Sequence, residues 1–428
     1  MTAELALSLG RAAAALTGLA AEHPQVLIVR DTRESGEMLE SAIAAGVASA
    51  GADALLGGVL PTPAAALLVR RYGLQLAVVI SASHNSFEDN GIKLFAGDGF
   101  KLSDDAEHAI EAELARPPAP PERIGRVRDF HGALEDYLRE LHGRFAGLDL
   151  GGRRILLDCA HGATYRAAPE IFQRLGATVD VVANQPNGRN INDRCGSTHI
   201  VELALALTGG DYDAAFSFDG DGDRMLAVDR EGVVVDGDEL IALAALHLRA
   251  QGRLAGGGVA VTVMTNYGFH QAMAAAGVQV ATTAVGDRYV LDELRRRGWA
   301  LGGEQSGHII DLGFGPSGDG IASALLALEA LGDRDLRDRD AIEKLPQRLL
   351  NLRAGDRAAL VAAIGDASVR EAIAAEESAL SGRGRVLVRA SGTEPLIRVM
   401  VEAPSAQETD EVCARLARVV EGALGVEA

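Results

Sequence analysis

The chain has 428 residues, 60 of them acidic and 41 basic, a formal net charge of −19, and 48% hydrophobic residues. That length is more than one ordinary core accommodates and suits several domains. The acidity argues against nucleic acid or an anionic membrane as the main partner, since both need a basic face, but it permits an anionic metabolite held by a local cluster of arginines. Cys159, Cys195 and Cys413 are far apart and form no CxxC pair, so a disulfide framework or structural zinc is not expected and a reducing, cytoplasmic setting fits. Leu5–Ala21 reads as an alanine-rich buried helix rather than a leader, because Glu4 stands where positive charge is wanted and Arg11 interrupts the run. No apolar run reaches transmembrane length.

From the start, that helix leads to a strand at Val26–Val29. A turn, Arg30 to Gly36, precedes a helix over Met38–Ala50. Ser35 and Gly36 are placed to cap that helix, and the Arg30/Arg33 pair is a minor candidate for service at a site. Then come a strand at Leu55–Val59, the punctuation Pro61-Thr62-Pro63, another helix, and the apolar run Leu76–Ile80, which reads as a buried parallel strand. Asp89-Asn90-Gly91 signals a turn before a strand at Ile92–Phe95. Pro117–Pro121 marks a linker or crossing loop. A second unit has strands at Ile155–Asp158, Val179–Ala183 and Ala214–Phe218, with a loop over Asn184–His199. A third has strand Val259–Met264, helix Gly268–Ala276, strand Val278–Thr283 and helices Arg288–Arg297 and Ile321–Leu331, and it ends near Leu345–Arg353. The last segment has one helical stretch, strands at Arg385–Val388 and Leu396–Glu402, and a final helix Glu408–Leu424. Alternating β and α predicts mostly parallel sheets covered by helices, with a smaller α+β unit at the end.

Four stretches carry chemistry. Ser81-Ala82-Ser83-His84-Asn85 follows a strand, where α/β folds place ligands. Ser83 there either carries a phosphoryl group, steadied by His84 and backbone N–H groups, or merely caps the next segment. Lys93, close in sequence, is a candidate to neutralise charge or move a proton. Asp219-Gly220-Asp221-Gly222-Asp223-Arg224 sets three carboxylates at alternate positions, and the glycines permit a tight path around one hard cation, Mg²⁺ above all. An EF-hand is excluded because Arg224 and Arg230 stand where glycine and glutamate are required. A phosphatase with an aspartyl nucleophile would leave the Ser83 stretch without a role, and a solvated acidic turn does not explain three crowded aspartates. Gly303–His308 packs Glu304, Gln305, Ser306 and His308 between glycines. Glu304 and Ser306 suit sugar hydroxyls, and His308 suits proton transfer. Arg389–Pro395 offers Arg389, Ser391, Gly392 and Thr393 as an anion nest, with Arg398 as a second charge. An ordinary hairpin turn is the alternative.

These four motifs, in this order and rough spacing, closely resemble the α-D-phosphohexomutase family over nearly the whole chain. Gln305, Asn190–Asp193 followed by Cys195–His199, and Gly286-Asp287-Arg288-Tyr289 favour the glucosamine branch. The resemblance implies an α/β, four-domain, heart-shaped architecture, with three related α/β domains and a smaller C-terminal α+β domain. The expected spans are 1–143 with the phosphoserine loop, 144–236 with the metal loop, 237–353 with the sugar loop and 354–428 with the phosphate loop. It implies Ser83 as phosphoserine, with Mg²⁺ held by Asp219, Asp221, Asp223 and the Ser83 phosphate. The reaction implied interconverts glucosamine 6-phosphate and glucosamine 1-phosphate through glucosamine 1,6-bisphosphate, feeding UDP-N-acetylglucosamine synthesis. His84, Lys93, Arg224 and His308 would assist, and Glu304, Ser306, Arg389, Ser391, Gly392, Thr393 and Arg398 would bind the hexosamine phosphate. The family pattern allows a homodimer.

Two features depart from that pattern. The family begins with a strand and a loop like Thr-Asp-Gly-Ile-Arg-Gly ahead of the first helix, whereas this sequence starts Met1-Thr2-Ala3-Glu4-Leu5. The expectation that follows is a site short of one arginine, through a misplaced start or a real loss. Ser86 stands where proline commonly follows the asparagine, which alters loop stiffness. Two rival functions remain: a phosphomannomutase or phosphoglucomutase with the same chemistry, and a truncated phosphosugar-binding protein with little turnover.

Overall fold

A computed structural model describes residues 1–17, 23–116, 123–390 and 395–425. The predicted linker at Pro117–Pro121 lies outside the described residues, as do Ser391, Gly392 and Thr393. The chain forms two compact units, Met1–Met264 with Val278–Asp340, and Thr265–Gly277 with Ala341–Ala428.

The first unit holds three sheets. One runs, from edge to edge, Ile92–Ala96, Leu76–Ile80, Gln25–Arg30, Asp53–Val59, Val127–Asp129. Leu76–Ile80 is buried throughout and pairs parallel to Gln25–Arg30. Its unbroken apolar run reflects cover on both faces, the usual state of a central parallel strand. Helices Ala3–Thr17 and Gly36–Ser49 pack on this sheet through Ala6, Ala13, Leu39, Ile43 and Val47. Each large side chain fully buried there contributes about 1.5–3 kcal/mol. The second sheet runs Val234–Val235, Met225–Asp229, Ala214–Phe218, Arg154–Asp158, Thr178–Val182, and the third Gln279–Thr283, Gly258–Thr262, Leu301–Gly303, Ile309–Asp311.

All three sheets share one device. A parallel strand ends, a loop follows, and the chain returns antiparallel beside it. Leu76–Ile80 returns as Ile92–Ala96, Ala214–Phe218 as Met225–Asp229, and Leu301–Gly303 as Ile309–Asp311. The intervening loops are those of Ser83, of the three aspartates and of Glu304–His308.

The second unit has a three-stranded antiparallel sheet, Gln347–Arg353, Leu396–Glu402, Arg385–Ala390, covered by Ala406–Leu424. Arg385–Ala390 and Leu396–Glu402 there are antiparallel neighbours. Two helices, Arg357–Gly365 and Ala367–Leu380, replace the single helical stretch expected there. Asp366 breaks the run because its carboxylate accepts from the Ser368 N–H and caps the second helix. Helix Tyr267–Ala275 belongs to this unit. Tyr267 N donates to Glu402 Oε2 at 2.8 Å, and Arg385 pairs with the same carboxylate at 3.0 Å. The expected cap at Ser35 is a further difference. Ser35 precedes its helix without a side-chain cap and instead accepts from Asn90 Nδ2 at 2.9 Å.

Candidate active site

Strand Leu76–Ile80 ends at Ser81, whose hydroxyl donates to Asp31 Oδ2 at 2.5 Å and accepts from Ser83 N at 3.0 Å. Asp31 also binds Arg33, from Nε to Oδ2 at 2.8 Å, and both side chains are fully buried. The guanidinium of Arg33 then donates to the carbonyls of Ser83 (2.9 Å), Asn85 (3.0 Å) and Asp89 (2.9 Å), and to that of Ser86. Arg33 therefore supports the serine loop from within. A buried charge is tolerable there because one carboxylate and several carbonyls satisfy it. The sequence marked the Arg30/Arg33 pair only as minor. The missed signal was the spacing Asp31-x-Arg33 at a strand end, where both point inward. Arg30 instead pairs with Glu37 and Glu40.

Ser83 is held at φ +52°. Its hydroxyl donates to Asp219 Oδ2 at 2.6 Å, across 136 residues of sequence. Asp219, Asp221 and Asp223 are all buried and offer carboxylate oxygens within 4.8 Å of one another. Gly220 makes the approach possible, since a Cβ there would lie 2.5 Å from the Ser83 carbonyl oxygen. Thr62 clasps Asp221 through its N–H, 2.9 Å from the Asp221 carbonyl, and through its hydroxyl on the carboxylate.

The three carboxylates fit a hard divalent cation. Asp221 Oδ1 and Asp223 Oδ1 are buried without a hydrogen-bond partner, an arrangement that costs stability unless a cation takes those lone pairs. Burial, then the charges of Asp223 and Asp221, push the Asp219 carboxyl well above its ordinary range. Burial also opposes ionisation of Asp223, but Lys93 and His308 outweigh it and hold that group well below. Lys93 Nζ lies 2.6 Å from Asp221 Oδ2 and 3.4 Å from Asp223 Oδ2. Burial disfavours its ammonium, yet these carboxylates raise its pKa and keep it charged.

Above the triad is a cleft of about 480 Å³, lined by Ser83, Lys93, Arg224, Glu304, Ser306 and His308 among others. Arg224 N donates to Asp219 Oδ1 at 3.1 Å. His308 is buried, with Nδ1 3.6 Å from Asp223 and Nε2 3.7 Å from Asp287, and Asp287 in turn holds Lys101 Nζ at 2.5 Å. Lys101 and Asp287, absent from the sequence-based set, also line the cleft. Glu304 Oε1 accepts from Gly286 N at 2.9 Å. Gln305 turns away from the cleft, and its amide donates to Asp236 Oδ2 at 3.1 Å, beside the capping box of helix Gly237–Ala250. His84 is exposed and outside the cleft lining; partial burial and Arg224 hold its imidazole below the usual value.

Thus the structure gathers Ser83, Lys93, the three aspartates, Arg224, Glu304, Ser306 and His308 within the first unit. In the second unit, Arg389 and Arg398 are direct neighbours on antiparallel strands, and burial and Arg398 lower the Arg389 pKa. Among the described residues no helix is long and apolar enough to cross a membrane.

Residues 1–119, 135–232 and 236–349 match the phosphoglucomutase/phosphomannomutase alpha/beta/alpha domains I, II and III, and residues 349–419 match the C-terminal domain of that family. A phosphoglucosamine mutase of Moorella thermoacetica is 48% identical over 427 residues, 98% of this chain and 95% of the relative. A phosphoglucomutase/phosphomannomutase family protein of Burkholderia thailandensis shares the fold with a TM-score of 0.81 at 21% identity, covering 99% of this chain and 94% of that one. An N-acetylphosphoglucosamine mutase of Aspergillus fumigatus, solved with GlcNAc-6P and magnesium, has a TM-score of 0.68 at 20% identity, covering 85% and 92%.

Proposed function

The chain belongs to the phosphoglucomutase/phosphomannomutase family, and from that premise we propose that it works as a phosphoglucosamine mutase, interconverting glucosamine 6-phosphate and glucosamine 1-phosphate. The observation that carries the reading is the Ser83 hydroxyl, 2.6 Å from Asp219 in a cleft that also holds Lys93, Arg224 and His308. The near half-identity to a phosphoglucosamine mutase along almost the full chain supports the choice of sugar.

In this reading Ser83 carries a phosphoryl group. Its Oγ–P bond breaks as an O–P bond forms to one sugar hydroxyl. The hydroxyl proton passes to a base in the cleft, with His308 as the candidate, and Ser83 Oγ takes a proton from an acid, with the charged Lys93 as the candidate. The product of that step is glucosamine 1,6-bisphosphate. After it turns over, the other phosphoryl group returns to Ser83 Oγ, whose proton goes back to the lysine, while the sugar oxygen whose O–P bond breaks takes the proton held by the base. Asp219, Asp221 and Asp223, with the Ser83 phosphate, would hold Mg²⁺, which would neutralise charge on the transferring group. Arg224 adds a fixed positive charge, and His84 helps to steady the phosphoryl group on Ser83. Glu304 and Ser306 bind sugar hydroxyls or the amine. Arg389, Ser391, Gly392, Thr393 and Arg398 clamp the phosphate that is not being transferred. The domain spans that go with this reading are 1–143, 144–236, 237–353 and 354–428, and the setting is cytoplasmic.

Turnover of glucosamine 1-phosphate, glucose 1-phosphate and mannose 1-phosphate tests it, with Mg²⁺ and a trace of the matching bisphosphate. The expected result is strong preference for the amino sugar. Equal or better turnover of glucose or mannose phosphate would assign the chain to the phosphoglucomutase/phosphomannomutase activity instead. Binding without turnover of any of the three would make it a phosphosugar-binding protein.

A further inference from the structure

The stretch Asn190–His199 is a sequence motif that the proposed chemistry leaves without a task. Its Asn192 is buried, at 7% exposure, and does not line the cleft. The single nitrogen Nδ2 of Asn192 donates to the carbonyls of both Ser83 and Asn85, each at 2.9 Å. Arg33 Nη2 donates to the same two carbonyls, at 2.9 and 3.0 Å. Two donors from opposite sheets thus close on the two carbonyls that flank His84. A Cβ at Gly220 would lie 2.5 Å from the Ser83 oxygen and 2.7 Å from Asn192 Nδ2, so the backbone of the metal loop stacks directly on this clamp. Asn192 N is itself tied to Ala160 O at 2.9 Å, which anchors the loop to the second sheet.

We propose that Asn192, together with Arg33, is a positioning residue for phosphoryl transfer, and that the Asn190–His199 loop acts on Ser83 from behind rather than by reading the sugar. Fixing the Ser83 carbonyl fixes the direction of its Cα–Cβ bond. Ser83, at φ +52°, is in a conformation that an L-residue leaves readily unless it is held. The reaction needs Oγ in line with a sugar oxygen twice per cycle, once as donor and once as acceptor. A misplacement of about 1 Å costs about 10²-fold in rate. The inference rests on the phosphoserine reading above.

The test uses the full chain and two variants. Asn192 sits at φ +58°, so Asn192→Gly removes the donor while keeping the backbone at ease, and Asn192→Asp keeps the left-handed preference but turns a donor into an acceptor. Three quantities are read for folded protein: kcat and KM with glucosamine 1-phosphate, and the rate at which dephosphorylated enzyme takes a phosphoryl group from a hexose 1,6-bisphosphate, followed by intact mass. Both variants lower kcat and the uptake rate by about 10²-fold and leave KM within about twofold. Asp211→Asn, an exposed change outside that loop, leaves all three at wild-type values. Wild-type uptake in Asn192→Gly, or a loss confined to KM, overturns the positioning role while the mutase reading stands. A wild-type chain that takes no phosphoryl group from any hexose bisphosphate overturns the mutase reading itself, and the two failures are thereby distinguished.

Discussion

Lys93 Nζ stands 2.6 Å from Asp221 Oδ2 and 3.4 Å from Asp223 Oδ2, so two of the three carboxylates offered to a metal already carry a cation from the chain itself. Ammonium and divalent ion draw on the same carboxylates. At about 4 Å, in partly buried surroundings, one unit charge is worth up to about 4 kcal/mol. Lys93→Met therefore binds Mg²⁺ at least about tenfold more tightly, as read by calorimetry. Turnover falls by about 10²–10⁴-fold, because a proton-transfer group is gone. Weaker Mg²⁺ binding in the variant would show that the lysine helps to assemble the metal site rather than competing with it.

Chelation gives a second readout of the same triad. Three buried carboxylates repel one another until a cation is present. Removing divalent ions with EDTA abolishes turnover, and added Mg²⁺ restores it. Mg²⁺ at 100 times its dissociation constant stabilises the folded chain by about 2.7 kcal/mol, visible as a rise in melting temperature. An unchanged melting temperature across the titration would argue against a metal at these residues.

Ser83→Ala removes the one hydroxyl that meets Asp219. Turnover is lost, while equilibrium binding of glucosamine 6-phosphate stays within about twofold, since the groups lining the cleft are untouched. Near-normal turnover in this variant would rule out a phosphoserine mechanism.

Asp319 offers a pH-dependent signal beside the metal loop, where Gly320 N donates to Gly222 O at 3.0 Å. Its carboxylate accepts from Tyr137 Oη at 2.9 and 3.0 Å and caps helix Gly320–Leu331 through the Ala322 N–H. Burial pushes its pKa from 3.8 up to about 6, against the pull of those hydrogen bonds. The folded state therefore holds this proton more tightly than the unfolded state. Stability contributed by the group is complete below about pH 4 and is lost as pH rises through 6, by about 3 kcal/mol. Asp319→Asn keeps the cap and cannot ionise. Urea midpoints at pH 4 and pH 7 should diverge in the wild type by more than in Asp319→Asn. Equal differences would show that Asp319 ionises freely.

In the second unit, Glu402 is fully buried, and its counter-charge is Arg385, at 3.0 Å. Arg385→Leu leaves the carboxylate with the Tyr267 N–H and the Asn266 amide. Breaking such a pair costs about 3–5 kcal/mol. The loss should appear as a lower denaturation midpoint, and a change under about 1 kcal/mol would mean that water reaches Glu402 in the variant.

The sequence by itself determined the local elements and the identity of the motifs. Continuous apolar runs such as Leu76–Ile80 and Ala214–Phe218 announce buried strands, and glycine-spaced aspartates announce a cation loop, because both signals are contained in a few adjacent residues. It did not reveal the break at Asp366, since helical periodicity continues across it and only the cap marks the boundary. The tertiary structure alone decided which motifs meet. In each of three sheets the chain returns antiparallel after its functional loop, and that turn-back brings Ser83, Asp223 and His308 around one cleft although long stretches of sequence separate them. It also decided which polar residues face inward. Arg33 reads only as a minor candidate for the site and is buried behind the serine loop, because Asp31 and the serine-loop carbonyls replace its water. Gln305 reads as a marker of the glucosamine branch within the sugar loop, and its amide binds Asp236 outside the cleft lining. Such choices depend on partners distant in sequence, whose hydrogen bonds offset the cost of burial, and no local pattern carries that information.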